Sequence, residues 1–149
     1  IQPPAFTTNT IRVIQGPEWN YLNDSSKEMF ANAKFKVSPQ SNRMGYRLKG
    51  ESLETVQSCE IISSAVTQGT VQLTSSGEMI VLMADAQTVG GYPRIAQVCT
   101  VDLPLLAQKK PGDEIQFQFI SLQEAEQLYL RDIEQLTTTK QTLQQLYAG

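Results

Sequence analysis

Short apolar stretches, separated by glycine, serine and asparagine, run through most of this chain. Their length, and the alternation of apolar and polar positions in several of them, are typical of β-strands. The pattern predicts strands at residues 11–15, 35–37, 46–48, 61–66, 70–73, 79–83, 95–98 and 115–119. Many short strands joined by turns favour a mainly β fold, either a sandwich or a small closed barrel.

Two short helices are predicted between these strands. One helix is predicted at residues 25–32, with Asp24 or Ser25 as its capping residue. The side chain of the cap can accept a hydrogen bond from the first turn. Asp102 can cap one or two turns at residues 103–108 in the same way.

A longer helix is predicted over residues 121–147, because Ser121 and Glu124 have the spacing of a capping box. An apolar stripe usually packs on the core of its own chain, so we expect this helix to lie across the β-domain. Pairing with a partner chain is the alternative. The stripe repeats every seven residues at Leu122, Tyr129, Leu136 and Leu143, with Ala125, Ile133 and Leu146 beside it. A stable coiled coil is not expected, since the seam is weakened by Asp132, Lys140 and the threonines at 137–139.

The chain therefore divides into three predicted parts. Residues 1–10, rich in proline and threonine, are expected to be a linker or a ragged N-terminus. Residues 11–120 form the β-domain, and residues 121–147 form the C-terminal amphipathic helix. The chain begins at Ile1 rather than at methionine, which suggests a piece of a longer protein.

Composition narrows the possible functions. The chain has 149 residues, a net charge of -3 and no cluster of basic residues, so no nucleic-acid partner is expected. It lacks a stretch of about 18 apolar residues, so no membrane-spanning helix is expected. The absence of histidine excludes histidine-based catalysis and most zinc sites. Cys59 and Cys99 lack metal-ligand spacing, so we expect buried free thiols, with a disulfide as the alternative.

Candidate chemistry is concentrated at residues 85–94, between two apolar runs. Asp85 follows a predicted strand, so it is either a base whose pKa is raised by desolvation or an anchor for the loop. Gln87 and Thr88 can hydrogen-bond an amide-like ligand such as a lactam or ureido ring, or else they cap the turn. Tyr92 can stack on a ring or donate its hydroxyl, or else it packs, and Arg94 supplies a guanidinium for anionic groups. Gly90 and Gly91 allow a tight turn or close approach to a ligand. Gln72, on a nearby predicted hairpin, is a weaker candidate.

Two arginines form a second candidate pair. Arg43 and Arg47 lie on either side of Gly45 and can bind a carboxylate, a phosphate or a carboxylated cofactor. The alternative is surface ion pairing with Glu51 or Glu54. If Tyr46 lies on a strand, Arg47 faces the opposite side. We expect Arg47 to point to the mouth or the interior of a barrel.

Several of these segments resemble one known family. Residues 85–93 (DAQTVGGYP), 41–50 (SNRMGYRLKG) and 11–17 (IRVIQGP) are similar, in order, to landmarks of the KipA-like, allophanate hydrolase subunit 2 family. That family includes the PxpC component of bacterial ATP-dependent 5-oxoprolinase and the carboxyltransferase domain of urea carboxylase. The resemblance covers about residues 11–120 and implies a cyclophilin-like closed β-barrel.

The resemblance also implies a function. It indicates the C-terminal half of a cytoplasmic subunit that opens 5-oxoproline to glutamate with a KipI/PxpB-like subunit, a PxpA-like subunit and the missing N-terminal half. Asp85 and Arg47 would be catalytic. Substrate would be bound by Arg43, Gln72, Gln87, Thr88, Gly90, Gly91, Tyr92 and Arg94. ATP would bind outside this chain, which has no phosphate-binding glycine loop, and no metal site is predicted. The isolated chain is expected to be inactive.

Two alternatives remain within the family. The first is urea carboxylase-type carboxyl transfer, with biotin carried on another domain because this chain has no biotin-accepting Met-Lys motif. The second is a non-enzymatic regulator that binds a KipI-like protein. A prolyl isomerase is not expected, since a shared barrel fold does not imply a shared function.

Overall fold

The computed structural model describes residues 9–56 and 63–147, which contain nine β-strands and three α-helices. The helices are α1 (Asp24–Asn32), α2 (Leu103–Ala107) and α3 (Leu122–Tyr147). The strands are β1 (Thr10–Gln15), β2 (Lys34–Val37), β3 (Gly45–Lys49), β4 (Ser64–Ala65), β5 (Thr70–Leu73), β6 (Met79–Leu82), β7 (Val89–Gly90), β8 (Arg94–Val98) and β9 (Glu114–Phe119).

Seven of the strands close into a barrel in the order β1-β8-β5-β6-β3-β2-β9, which confirms the predicted fold class. The barrel closes where β9 pairs in parallel with β1, placing Phe117 opposite Ile11. The remaining strands, β4 and β7, pair with each other as a separate two-stranded ribbon. The expected strand at residues 61–66 is represented by β4, and residues 61–62 lie outside the described part of the chain.

The barrel interior is filled by alternate residues of its strands. Ile11, Val71 and Val81 are fully buried there. Helix α1 adds Phe30, whose ring stacks on Phe117 with the ring centroids 4.6 Å apart. Asn23 caps this helix by accepting a hydrogen bond from the backbone N–H of Ser26 at 2.8 Å. The cap is thus one residue before the predicted Asp24 and two before the alternative, Ser25.

Apolar and charged side chains of strand β3 project to opposite faces of the barrel wall. Leu48 is buried and Tyr46 packs against the core, whereas Arg47 is exposed on the outer face. Arg47 therefore faces away from Tyr46, as the strand pattern predicts. The expectation that it points to the mouth or interior of the barrel is wrong, because the apolar alternate positions of this strand occupy the interior.

Helix α3 begins with the predicted capping box, since Ser121 Oγ accepts a hydrogen bond from the N–H of Glu124 at 3.1 Å. None of its residues is buried, so the expected packing across the barrel is wrong. The barrel strands already bury their apolar side chains against one another. Periodicity shows that a helix has an apolar face, but it does not show which surface covers that face.

Cys99 is a buried free cysteine, as predicted. Burial raises the pKa of its thiol. Cys59 lies outside the described residues, so its expected burial is not addressed by the structure.

Candidate functional site

A cavity of about 550 Å³ lies on the outer face of the barrel, where β3, β5 and β6 meet the β4–β7 ribbon. We call it the ribbon cavity. Six of the predicted site residues line it: Arg47, Gln72, Gln87, Gly90, Gly91 and Tyr92. The structure therefore brings together residues from three segments that the sequence separates.

Strand register explains how Arg47 and Gln72 come to share this cavity. Ile80 on β6 is paired with Arg47 of β3 on one side and with Gln72 of β5 on the other. Residues directly opposite one another project from the same face of a sheet. Arg47 and Gln72 are therefore two strands apart on one face, about 9–10 Å between backbones. Ile80 forms the apolar floor between a guanidinium and an amide.

Gln72 has an unusual environment for an amide. The residue is only 5% exposed, and its side chain has no hydrogen-bond partner among residues 9–56 and 63–147. Every side-chain nitrogen or oxygen atom in those residues that is fully buried has a hydrogen-bond partner. The Gln72 amide has none, so it is not fully enclosed, and it is open on the side of the ribbon cavity. Proteins pair most of their buried polar groups. The amide can donate and accept hydrogen bonds, so it is suited to a ligand that carries both kinds of group.

Gly90 allows the ribbon to lie directly on Gln72. A Cβ atom at residue 90 would stand 2.4 Å from Gln72 Nε2 and 3.6 Å from a methyl group of Val66. Gly90 does not have a positive φ, so its role is this close approach and not a left-handed turn. The sequence suggested both possibilities, and the structure selects one.

Arg94 does not line the ribbon cavity, contrary to the sequence-based expectation. Its guanidinium pairs with Glu18 at 2.8 Å and donates a further hydrogen bond to the carbonyl of Ala65, at 3.2 Å. The hydrogen bond to Glu18 raises the pKa of Arg94. Arg94 thereby attaches strand β4 of the ribbon to the barrel. Sequence reasoning missed Glu18, which lies 76 residues away along the chain.

Arg43 and Asp85 pair with each other outside the ribbon cavity. The Arg43 Nε and Asp85 Oδ2 atoms are 2.9 Å apart, and the two side chains are 82% and 56% exposed. Asp85 is therefore largely open to solvent and paired with a cation, although it directly follows an apolar strand. Its backbone N–H also donates to the carbonyl of Arg43, at 2.9 Å. These contacts favour the interpretation of Asp85 as an anchor for the loop.

A second cavity, of about 370 Å³, lies on the Tyr46 side of β3 and includes Arg43 in its wall. The Tyr46 hydroxyl donates to the carbonyl of Ala107 at 3.1 Å, and burial raises the pKa of Tyr46. The predicted pair of arginines is thus divided, with Arg43 in this cavity and Arg47 in the other.

Thr88 is exposed, and its carbonyl accepts a hydrogen bond from the N–H of Val66 at 3.0 Å. This bond fixes the loop to the ribbon, whereas neighbouring Gln87 lines the cavity. Sequence reasoning did not single out Asn42, which also lines the cavity and accepts a hydrogen bond from the N–H of Met44 at 2.8 Å. The available signal was its position in the SNRMG segment before β3.

The described residues contain no group of three acidic, cysteine or histidine residues placed to hold a metal ion. Within the same residues, no helix has the length and apolar character needed to span a bilayer. The ribbon cavity, which is lined by six of the predicted site residues, is the candidate site whose lining agrees best with the sequence.

Comparison with known proteins places this chain in a family. The sequence pattern of the carboxyltransferase domain, subdomain A and B, matches residues 1–119. The chain belongs to this carboxyltransferase-domain family. The resemblance found from its motifs is thereby confirmed.

Two bacterial relatives are each named as a subunit of 5-oxoprolinase. The relative from Haemophilus influenzae is 42% identical over 125 residues, covering 84% of this chain and 40% of the relative. The relative from Escherichia coli is 44% identical over 117 residues, covering 78% and 38%. This carboxyltransferase-family chain therefore spans about two fifths of the length of each.

A solved structure supports the same assignment. The urea amidolyase of K. lactis matches with a TM-score of 0.77 and 29% identity. The match covers 85% of this chain and 9% of that one. The carboxyltransferase-family barrel thus occurs within a much longer polypeptide in that protein.

Proposed function

We propose that this chain forms part of the active site of an ATP-dependent 5-oxoprolinase, which opens 5-oxoproline to glutamate. The observation that carries the proposal is the placement of Arg47 and Gln72 on either side of Ile80 in the ribbon cavity. 5-Oxoproline has a carboxylate and a ring amide. An arginine fork suits the carboxylate, and a glutamine amide suits the ring N–H and C=O.

The reaction requires activation of a poor electrophile. Transfer of a phosphoryl group from ATP to the ring carbonyl oxygen makes the carbonyl carbon susceptible to water. One water then adds to that carbon and the C–N bond breaks, with a proton going to the ring nitrogen, which leaves the acyl phosphate of glutamate. A second water hydrolyses this acyl phosphate, so that 5-oxoproline, ATP and two waters give glutamate, ADP and phosphate. A guanidinium near the developing negative charge stabilises such a step, and we assign that role to Arg47. Asp85 positions the loop through Arg43.

The proposed enzyme needs further components. ATP binds outside this chain, whose sequence lacks a phosphate-binding glycine loop. The names of the two bacterial relatives describe one part of a larger enzyme. We propose that a KipI/PxpB-like subunit, a PxpA-like subunit and an N-terminal half complete the site, so that the isolated chain has no turnover.

The proposal can be tested in the assembled enzyme by following 5-oxoproline-dependent ATP hydrolysis. We expect Arg47→Ala and Gln72→Leu to lower kcat/KM by about a hundredfold each, which corresponds to roughly 2.7 kcal/mol. Lys49→Ala is the matched control for Arg47→Ala, since Lys49 is an exposed cation two residues along the same strand. Wild-type activity in the Arg47→Ala enzyme would refute the assignment.

A second candidate is biotin-dependent carboxyl transfer to an amide nitrogen, favoured by the structural match to urea amidolyase. In that case biotin is carried on another domain, and the ribbon cavity binds a ureido ring or urea. Assembled enzyme that consumes ATP with urea and bicarbonate, but not with 5-oxoproline, would establish this candidate. Binding to a KipI-like protein that survives Arg47→Ala, without either activity, would instead indicate a regulator.

A further inference from the structure

Helix α3 presents an apolar surface that the other described residues leave open. The helix has 26 residues, about 39 Å at 1.5 Å per residue, and none of them is buried. Ile133 is 40% exposed and Leu136 is 58% exposed, near the middle of the helix. A long apolar stripe on a helix usually marks a contact surface.

The exposed residues follow the spacing of a helix pair. Steps of four and three residues alternate along one line of the helix, as in the seam of two packed helices. We call this line the α3 stripe, and it consists of Leu122, Glu126, Tyr129, Ile133, Leu136, Lys140, Leu143 and Tyr147. The α3 stripe does not include Asp132 or the threonines at 137–139, which lie beside it. These residues argue against a coiled coil only when they are placed in the seam.

We propose that a second copy of this chain covers the α3 stripe, with the two helices antiparallel. The distribution of charge along the helix favours this antiparallel arrangement. Residues 122–134 contain four acidic residues and one arginine, a net charge of -3, whereas residues 135–147 contain one charged residue, Lys140. Antiparallel pairing sets the acidic half of each helix beside the cationic half of the other. Parallel pairing would set the two acidic halves together.

The antiparallel arrangement also accommodates the two charged positions in the stripe. With the helices fully overlapped, Leu122 meets Tyr147 of the second copy and Ile133 meets Leu136. Lys140 then lies beside Tyr129 of the second copy and within one turn of Glu126. A cation beside an aromatic ring and near a carboxylate is favourable. In a parallel pair, Lys140 would face Lys140 and Glu126 would face Glu126.

Sedimentation velocity of the 149-residue chain over a wide range of concentrations tests the association. We expect a reversible dimer whose dissociation constant rises at least about tenfold in Leu136→Glu. Thr138→Glu is the matched control, because it adds the same charge at an exposed position on the opposite face of α3 and should leave the dissociation constant unchanged. Far-UV circular dichroism separates lost association from lost helix.

A charge exchange tests the orientation. Lys140→Glu should weaken an antiparallel dimer, and adding Glu126→Lys should restore it. In a parallel dimer the single change replaces one like-charged pair by another, so association would be unaffected. A chain that stays monomeric, or equal dissociation constants for Leu136→Glu and Thr138→Glu, would overturn the proposal and assign the stripe to a different polypeptide.

Discussion

Gly90 lies against the end of the Gln72 side chain, where a Cβ atom would stand 2.4 Å from Nε2. The obstructing atom is at the tip of a flexible side chain, so Gly90→Ala should move the amide and leave both strands intact. We expect the free energy of unfolding to change by less than about 1 kcal/mol. We expect affinity for 5-oxoproline in the assembled enzyme to fall roughly tenfold. Calorimetric titration measures this affinity. In a Gln72→Ala background, Gly90→Ala should cause no additional loss of affinity.

Gly16 offers the opposite case, since its neighbour is backbone. A Cβ atom at residue 16 would stand 2.2 Å from the carbonyl oxygen of Arg94. Gly16→Ala must therefore separate β1 from β8, and we expect a loss of at least about 2 kcal/mol in urea denaturation. Gly112→Ala is the comparison, because Gly112 has φ +91° with open space around it. That change should cost only about 1 kcal/mol of backbone strain, and equal losses would contradict the interpretation.

The carboxylates of Asp102 and Asp85, each paired with an arginine, should differ in their contribution to stability. Asp102, whose side chain is 6% exposed, accepts hydrogen bonds from the backbone N–H and the guanidinium of Arg12, at 2.6–2.9 Å. Asp102→Ala leaves these donors without their partner, and we expect a loss of about 2–3 kcal/mol. Asp85→Ala removes an exposed pair and should cost under about 0.5 kcal/mol. Chemical denaturation of both variants measures the two losses in the free energy of unfolding.

The buried thiol of Cys99 should make stability depend on alkaline pH. Burial raises its pKa above the ordinary value of about 8.5, so the folded state holds the proton more tightly than the unfolded state does. The contribution of this thiol to the free energy of unfolding should therefore be constant below about pH 8 and fall as pH rises through the alkaline range. Thermal unfolding of Cys99→Ala should show a smaller decline. An unchanged decline would assign the effect to other groups, including Tyr46.

The sequence predicted the features that depend on residues close together in the chain, and it did not predict those that depend on distant residues. Alternation of apolar and polar residues predicted the barrel strands, and Ser121 with Glu124 predicted the start of α3, because both signals lie within a few residues. The partnership of Arg94 with Glu18 depends on contacts across 76 residues, which no short pattern contains. Arg47 was placed on the correct side of its strand relative to Tyr46, but the barrel decided which side was the interior.

The register of β3, β6 and β5 likewise had to be seen to place Arg47 and Gln72 together. Family motifs directed attention to both residues without giving their distance. The position of Asp85 after an apolar strand is compatible both with a base and with an anchor for the loop. Its exposure and its pairing with Arg43 are properties of the fold.

The closure of the barrel has a consequence for the order of events during synthesis. Among the described residues, strand β1 pairs with β8 and β9 alone, and these are the last two of the barrel strands in sequence order. Its edges thus stay unpaired until almost the whole β-domain has been translated, and folding must wait for contacts of long sequence separation. A nascent chain arrested before residue 114 would expose both the β1 and β2 edges, where chaperones and misassembly compete.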